Sequence, residues 1–254
     1  MKRIFLVVAL VATVFSAQAW TKVVDEASYL IAEKYMTEAA KKECSRILAL
    51  KKTVEYKWVT DKTSKVSLDA NLSSTTTDEK DIVVRIEKAL EVLCNRAKYS
   101  DVEQYKALVT VQKLNIELHT ISRIAIEGVD HSQGDFEFTW TAGKEGSKKY
   151  EKRGQTTWHK LWANSFSFWH QGWSSEYYAY DINLRFNKLS KQAMQGSVRD
   201  WAHEMGLRAK PLYDWASPGM VMRHEPRLNL EDVHLEMVAR SAYRLAALLN
   251  ECLK

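Results

Sequence analysis

The amino-acid sequence predicts a single, mostly α-helical domain that contains at most a small β-hairpin. Two observations carry this prediction: long stretches repeat apolar residues at helical spacing, and residues that break helices are scarce. The clearest periodic stretch is Ile82–Ala97, with apolar residues at Val83, Ile86, Leu90 and Leu93. Only three prolines and nine glycines occur among 254 residues, and a hydrophobic content of 46% is sufficient for a substantial core. A chain of this length fits one domain.

The first 19 residues have the three parts of a secretory signal peptide. Lys2 and Arg3 supply a positive start, Ile4–Phe15 an apolar core, and Ala17–Ala19 a small-x-small cleavage site. The apolar run is too short to span a bilayer, and the sequence shows no later run that is long and apolar enough. We therefore predict a secreted or periplasmic protein with a signal peptide over residues 1–19 and a mature domain over residues 20–254.

The first half of the mature domain is predicted as helices joined by polar loops. Val24–Leu50 has a long helical pattern, and Asp78 is a fair N-cap for the periodic stretch that begins at Ile82. Between these helices, Glu55–Asn71 is predicted as a loop or short irregular segment. A central helix is predicted over Asp101–Arg123, capped by Ser100 or Asp101.

The second half is predicted as a hairpin followed by further helices. Phe136–Trp140 alternates apolar and polar residues, as a short strand does, and the glycine-punctuated residues 143–154 follow as its tip. Ile182–Leu207 and Glu231–Leu253 are predicted as helices, with Pro211–Pro226 as the longest loop.

Residues 166–180 are unusually aromatic. Aromatic rings beside basic groups can stack on the bases of a single-stranded nucleic acid. Aromatic side chains also supply much of the packing energy of protein cores, which is the interpretation we favour. The aromatic residues are Phe166, Phe168, Trp169, Trp173, Tyr177, Tyr178 and Tyr180.

Charge and cysteine content set weak limits on function. The formal net charge of +5 is spread among acidic residues, so it permits contact with nucleic acid or anionic surfaces without requiring it. Cys44, Cys94 and Cys252 allow at most one intramolecular disulfide, and the sequence does not say which pair forms it. The sequence contains no nucleotide-binding glycine motif, serine elbow, HExxH or CxxC motif.

Several short motifs together resemble the secreted zinc-dependent single-strand nucleases, nuclease S-one and nuclease P-one, which share the fold of zinc-dependent phospholipase C. Arg244–Asn250 is similar to that family's closing RLAxLLN helix, and Trp201–Glu204 followed by Tyr213 is similar to its WAxES helix. Ile82–Leu90 followed by Lys106–Leu108 is similar to its paired helices before the metal helix. The resemblance implies a helical domain of the phospholipase C/P-one nuclease type.

The resemblance also implies three zinc ions, held by histidines, aspartates and an N-terminal tryptophan, which corresponds to Trp20. The family's central motif, H-x-x-x-D-x-H-Q-P-L-H, aligns with Lys113–Arg123. Lys113 and Arg123 replace its first and last ligand histidines, and Glu117 replaces its aspartate. His119 matches a histidine that is not itself a ligand.

The other ligand positions are only partly retained. In the family's second motif, N-L-H-x-x-W-D, His159 stands at a ligand position and Ala163 replaces a ligand aspartate. Asp25 stands where the resemblance places a histidine. The resemblance also places a further aspartate and a histidine among the metal ligands. They are not clearly present here, and Asp61 and Asp69 lie only near their positions.

These replacements oppose zinc binding, because lysine and arginine offer no free lone pair at neutral pH and bring positive charge. We therefore predict no zinc cofactor. Instead we expect a buried network in which Lys113 and Arg123 neutralise Asp25 and Glu117, near Trp20 and His159. The simpler alternative is an exposed surface pair between Lys113 and Glu117, worth about 0.3–0.5 kcal/mol.

Three functions stay open at this point. The first is a non-catalytic, nuclease-like protein with a degenerate zinc site that binds a nucleotide, a phosphorylated ligand or a protein partner. The second is a divergent phosphodiesterase or endonuclease for single-stranded nucleic acid, with a reduced zinc site formed by Trp20, Asp25 and His159. The third is a structural or partner-binding periplasmic protein whose cleft is filled. The sequence leaves enzymatic activity and oligomeric state undecided.

Overall fold

The computed structural model describes residues 20–52, 64–133, 135–142, 152–165, 172–222 and 224–254. Within these ranges most residues are helical, which confirms the predicted mostly-α fold class. The predicted signal peptide lies outside them, as do Asp61 and the aromatic residues 166–171. No helix in the described part of the chain is both long and apolar enough to cross a bilayer.

The described residues of the first half form four α-helices, and the first predicted helix is divided in two. These are α1 (Lys22–Tyr35), α2 (Glu38–Ala49), α3 (Ile82–Cys94) and α4 (Asp101–Leu118). The backbone is extended at Met36 and Thr37, and the Thr37 hydroxyl accepts the backbone N–H of Ala40, so a new helix starts there. Asp81, rather than the predicted Asp78, caps α3 by accepting the N–H of Val83.

The central helix α4 ends five residues before the predicted Arg123. It begins at the predicted cap, where Ser100 and Glu103 form a capping box. At its other end the His119 ring and the Thr120 hydroxyl hydrogen-bond the carbonyls of Asn115 and Ile116. These local bonds compete with the helical pattern, and the chain continues into a 3-10 turn, Ile121–Arg123.

The second half contains α5 (Trp158–Lys160), α6 (Ser175–Phe186), α7 (Ser190–Ala193), α8 (Val198–Trp215) and α9 (His224–Cys252). The predicted helix Ile182–Leu207 is therefore interrupted. Gly196, at φ 93°, adopts a left-handed conformation between α7 and α8, and Ser197 caps α8. The predicted loop Pro211–Pro226 was also placed too early, because its first residues are helical. Pro211 is exposed and lies inside α8, where solvent can reach the carbonyl that loses its N–H partner.

Within the described ranges, five short strands form two small sheets. In the first, β1 (Val66–Leu68) runs parallel to β2 (Ile124–Ile126), with Val66 opposite Ile124. In the second, β3 (Glu137–Ala142) pairs antiparallel with β4 (Lys152–Thr157), which confirms the predicted hairpin. β5 (Val221–Met222) adds to β3 in parallel. The sequence missed β1, β2 and β5 because strands of two or three residues are too short to show a period.

The core lies between the long helices. α1 packs against α6 and α9, and α3 against α4. Most of α4 is buried, including the polar residues Gln104, Gln112, Asn115 and Glu117. Cys94, at the end of α3, forms a disulfide with Cys252, at the end of α9, and Cys44 is a buried free thiol. The structure thus decides the pairing that the sequence left open.

Candidate functional site: two buried ion pairs

The first ion pair joins the start of α1 to the middle of α4. Lys113 Nζ lies 3.8 Å from Asp25 Oδ2, and Asp25 is almost completely buried. Its other oxygen, Oδ1, has no hydrogen-bond partner within the described residues. Burial raises the pKa of Asp25 to about 8; Lys113 lowers it in part, and nearby Glu117 raises it. Asp25 therefore holds a proton over much of the neutral pH range.

The second ion pair joins the end of α4 to the turn that follows it. Arg123 Nε donates to Glu117 Oε2 over 2.6 Å, and both side chains are buried. Burial raises the pKa of Glu117, while the charge and hydrogen bond of Arg123, and the charges of Lys113 and Arg85, oppose that rise. A short, charge-assisted bond in a buried setting is a strong contact.

Lys113 and Glu117 thus pair with different partners instead of forming the alternative surface pair. Both lie on α4, one turn apart, and each is tied to a residue of another segment. The structure therefore brings four of the sequence-predicted site residues, Asp25, Lys113, Glu117 and Arg123, into two neighbouring ion pairs. The charge of Lys113 acts on both carboxylates.

His159 approaches this group from α5. Its Nδ1 lies 2.9 Å from the hydroxyl of Ser122, which is adjacent to Arg123. Burial and then the charge of Arg123 lower the pKa of His159 to about 4, so the ring is neutral at physiological pH. Its Nε2 is buried without a hydrogen-bond partner in the described part of the structure. Asp135 fixes the backbone by accepting the N–H of His159 over 2.6 Å.

Trp20 is buried among aromatic rings. One of them belongs to His234, which the sequence did not predict as a site residue. The Trp20 ring meets His234 edge to face, with centroids 5.6 Å apart, and Trp162 lies 6.3 Å from the same histidine. Burial lowers the pKa of His234 to about 3. His234 lies on a buried face of α9. In the sequence, only its spacing from the apolar residues of that helix could have indicated that its side chain is buried. Ala163 is buried beside Trp162.

Asp69 has a structural task that differs from metal binding. One carboxylate oxygen accepts the backbone N–H groups of Asn71 and Ser73, at 2.8 and 2.9 Å, and so closes the turn after β1. The second uncertain position, Asp61, lies outside the described residues.

The side chains present do not fit a trinuclear zinc centre. At the positions where the resemblance places zinc ligands, Lys113 and Arg123 bring cationic groups and Ala163 brings a methyl group. The carboxylates that remain, Asp25 and Glu117, are engaged by those cations. In the parts of the chain that the structure describes, no three residues of the types His, Cys, Asp and Glu are grouped so that they could hold a metal ion.

Two of the three motifs that carry the resemblance, Arg244–Asn250 and Trp201–Glu204, meet in a second, separate ionic cluster. The guanidinium of Arg244 contacts Glu204 and donates to His119 Nε2 over 3.0 Å, and it lies 5.2 Å from the ring of Trp201. Burial, followed by the charge of Arg244, lowers the pKa of His119 well below its ordinary value. Arg240 and Arg208 complete the cluster through Glu204 and Glu236. These motif residues therefore hold α4, α8 and α9 together.

A pocket opens one helical turn from Asp25, between α1, α2, α4 and α9. It is small and continuous with solvent. Tyr29 and Gln112 line it, and both residues are buried, with 7% and 8% of their surface exposed. Its apolar wall includes Met36, Leu245 and Leu249.

No protein-family model and no characterised protein matches this chain. The resemblance to the single-strand nucleases accordingly rests on the short motifs described above.

Proposed function

We propose that this chain is a secreted, non-catalytic protein related to the zinc-dependent single-strand nucleases, which acts by binding a ligand. One observation carries the proposal: buried ion pairs join Lys113 to Asp25 and Arg123 to Glu117. The resemblance places metal-ligand positions at these residues. Fixed cationic side chains thus supply the positive charge that metal ions would otherwise bring, and removing Arg123 would leave the buried carboxylate of Glu117 without its partner.

The ligand that fits this arrangement carries a phosphate, as a nucleotide or another phosphorylated molecule does; a protein partner is the remaining candidate. Lys113 is the more accessible of the two cations, with 24% of its side chain exposed, whereas Arg123 is buried. Because Asp25 has a raised pKa and only partly neutralises Lys113, the ammonium group keeps the capacity to contact an anion.

The absence of zinc chemistry is tested by metal analysis of the processed protein together with a nuclease assay on single-stranded DNA and RNA. We expect no stoichiometric zinc and no metal-dependent cleavage. The matched variant Lys113→His/Arg123→His/Ala163→Asp restores three donor positions, and we expect it to retain zinc. Three zinc equivalents in the unmodified protein would overturn the proposal.

Ligand binding is tested by calorimetric titration with adenosine monophosphate and with inorganic phosphate. We expect Lys113→Gln to weaken binding by about tenfold or more, because a charge-assisted contact is lost. Lys106→Gln removes an exposed lysine from the same helix and is the control, with unchanged affinity. Equal affinity for the Lys113 and Lys106 variants would exclude Lys113 from the binding site.

A reduced zinc site is the second candidate, and two orphaned polar atoms favour it. Asp25 Oδ1 and His159 Nε2 are both buried without a hydrogen-bond partner in the described structure. With Trp20 they form the reduced ligand set that the resemblance leaves. One zinc equivalent that is lost in His159→Ala, together with cleavage activity lost in the same variant, would establish this candidate in place of the first.

A further inference from the structure

Helix α6 carries an exposed apolar stripe on the side that faces away from the core. Tyr177, Tyr180 and Leu184 are 52%, 61% and 59% exposed, respectively. Their spacing of three and four residues places them on one face of the helix. The opposite face is buried where α6 packs against α1 and α9, through Tyr178, Ala179 and Ile182. Large apolar side chains that line up on a solvent-facing helix indicate an interaction surface.

The two ends of this stripe differ in charge. Its N-terminal half holds the acidic residues Glu176 and Asp181. After Leu184 the chain continues with three basic residues, Arg185, Lys188 and Lys191, and no acidic residue up to Ala193. The acidic residues therefore lie in α6, whereas Lys188 and Lys191 follow α6, in the 3-10 turn Asn187–Leu189 and in α7.

The basic end has positive charge that the rest of the described structure does not neutralise. Lys188 and Lys191 are exposed, and neither forms an ion pair within the described residues. Arg185 differs, because it contacts Asp181 at 3.9 Å and Asp232 at 2.5 Å. Two lysines are thus left to attract an acidic surface.

We propose that this stripe binds a second copy of the chain, with α6 and the basic segment 187–193 that follows it packed antiparallel to the same two segments of the second copy, around a twofold axis at Leu184. An isologous contact needs a surface that is complementary to itself. Antiparallel packing meets this requirement, because it sets the acidic half of α6 in each copy against the basic segment after α6 in the other copy. The two Leu184 side chains then meet at the axis and exclude water from the centre of the contact.

The same arrangement brings the lysines to the tyrosines. Lys188 and Tyr180 are equally distant from Leu184 in sequence, and so are Lys191 and Tyr177. The antiparallel arrangement therefore sets the segment that carries both lysines beside the tyrosines of the second copy, where a cation–π contact is favourable. Glu176 of the second copy is adjacent to Tyr177 in sequence, so it also lies close to Lys191.

A single-stranded nucleic acid fits this surface less well than a second copy does. Exposed tyrosines can stack on bases, and the lysines can contact phosphate. Glu176 and Asp181, however, stand beside the two tyrosines and would repel the backbone of a strand that follows them. The charge pattern is therefore better matched by a partner that is itself divided into acidic and basic halves.

The proposal is tested by sedimentation velocity of the processed full chain over a wide range of concentrations. We expect a reversible monomer–dimer equilibrium. Leu184→Glu should weaken dimerisation by about tenfold or more, because two carboxylates would meet at the axis. Leu207→Glu changes another exposed leucine, 54% exposed on α8, and should leave the dimer unchanged. A monomer at every concentration, or a dimer that Leu184→Glu does not weaken, would overturn the proposal.

Charge reversal tests the antiparallel orientation independently of the leucine. Glu176→Lys and Lys191→Glu should each weaken the dimer, and the double variant should recover most of the lost affinity, since the pair is restored with opposite sign. Circular dichroism of each variant checks that the helical fold is retained. A double variant that dimerises no better than either single variant would contradict the antiparallel contact.

Discussion

Arg123 Nε and Glu117 Oε2 lie 2.6 Å apart in a buried ion pair that links the end of α4 to the turn after it. The second pair, between Lys113 and Asp25, is longer at 3.8 Å and more open to solvent on the lysine side. The two pairs therefore differ in how much each cation contributes to stability.

Removing the buried arginine should cost more than removing an exposed one. We expect Arg123→Met to lower the free energy of unfolding by about 3–5 kcal/mol, because Glu117 would stay buried without its partner. The control is Arg185→Met, whose ion pairs with Asp181 and Asp232 are solvent-exposed and should cost about 0–1 kcal/mol. Urea unfolding followed by circular dichroism measures both. Equal costs for the two variants would show that the Glu117 pair is not buried in solution.

Removing Lys113 should have a smaller effect than removing Arg123. Asp25 has a pKa of about 8 beside Lys113, so at neutral pH it is already largely protonated, and the loss of the lysine leaves little buried charge without a partner. We expect Lys113→Met to cost about 1 kcal/mol at neutral pH and more at alkaline pH. The same unfolding measurement at two pH values checks this. A cost as large as that of Arg123→Met at neutral pH would mean that Asp25 is fully ionised.

The raised pKa of Asp25 should make stability fall as the pH rises. Below the unfolded-state pKa of about 3.8 the carboxyl group is protonated in both states, and its contribution is fully present. Between that value and the folded-state pKa of about 8, the unfolded chain releases the proton while the folded chain retains it, so stability is lost progressively.

Asp25→Asn removes this dependence, because the amide does not titrate. We expect the stability of the variant, relative to the unmodified protein, to rise from pH 4 to pH 8 by up to about 1.4 kcal/mol per pH unit. The measurement is the free energy of unfolding across that range. If the free energies of unfolding of the two proteins differ by the same amount at every pH, the pKa of Asp25 is not raised.

The disulfide between Cys94 and Cys252 should stabilise the fold by joining the ends of α3 and α9. We expect the double variant Cys94→Ala/Cys252→Ala to lose about 2–5 kcal/mol. Cys44 should stay unreactive toward a thiol reagent in the folded protein, since burial raises its pKa to about 12. It should react when the chain is unfolded. Two reactive thiols in the folded, unreduced protein would contradict this pairing.

Local sequence patterns predicted the fold class because helix formation depends mainly on nearby residues. The period at Ile82–Ala97, the cap at Ser100 and the alternation at Phe136–Trp140 all correspond to observed elements. Predictions of where helices end were less accurate. The breaks after Tyr35 and Ala193 and the end of α4 depend on side chains that bind backbone groups locally, and several arrangements of such bonds are compatible with one sequence.

The sequence by itself determined a mostly helical chain and marked Asp25, Lys113, Glu117 and Arg123 as one group of charged residues. Only the tertiary structure decided which residue pairs with which, because Asp25 belongs to α1 and the other three to α4 and its following turn. The same holds for the disulfide and for His234, which packing places beside Trp20. Periodicity describes one face of one helix, whereas ion pairs and buried contacts depend on how distant segments pack, and that is a property of the whole fold.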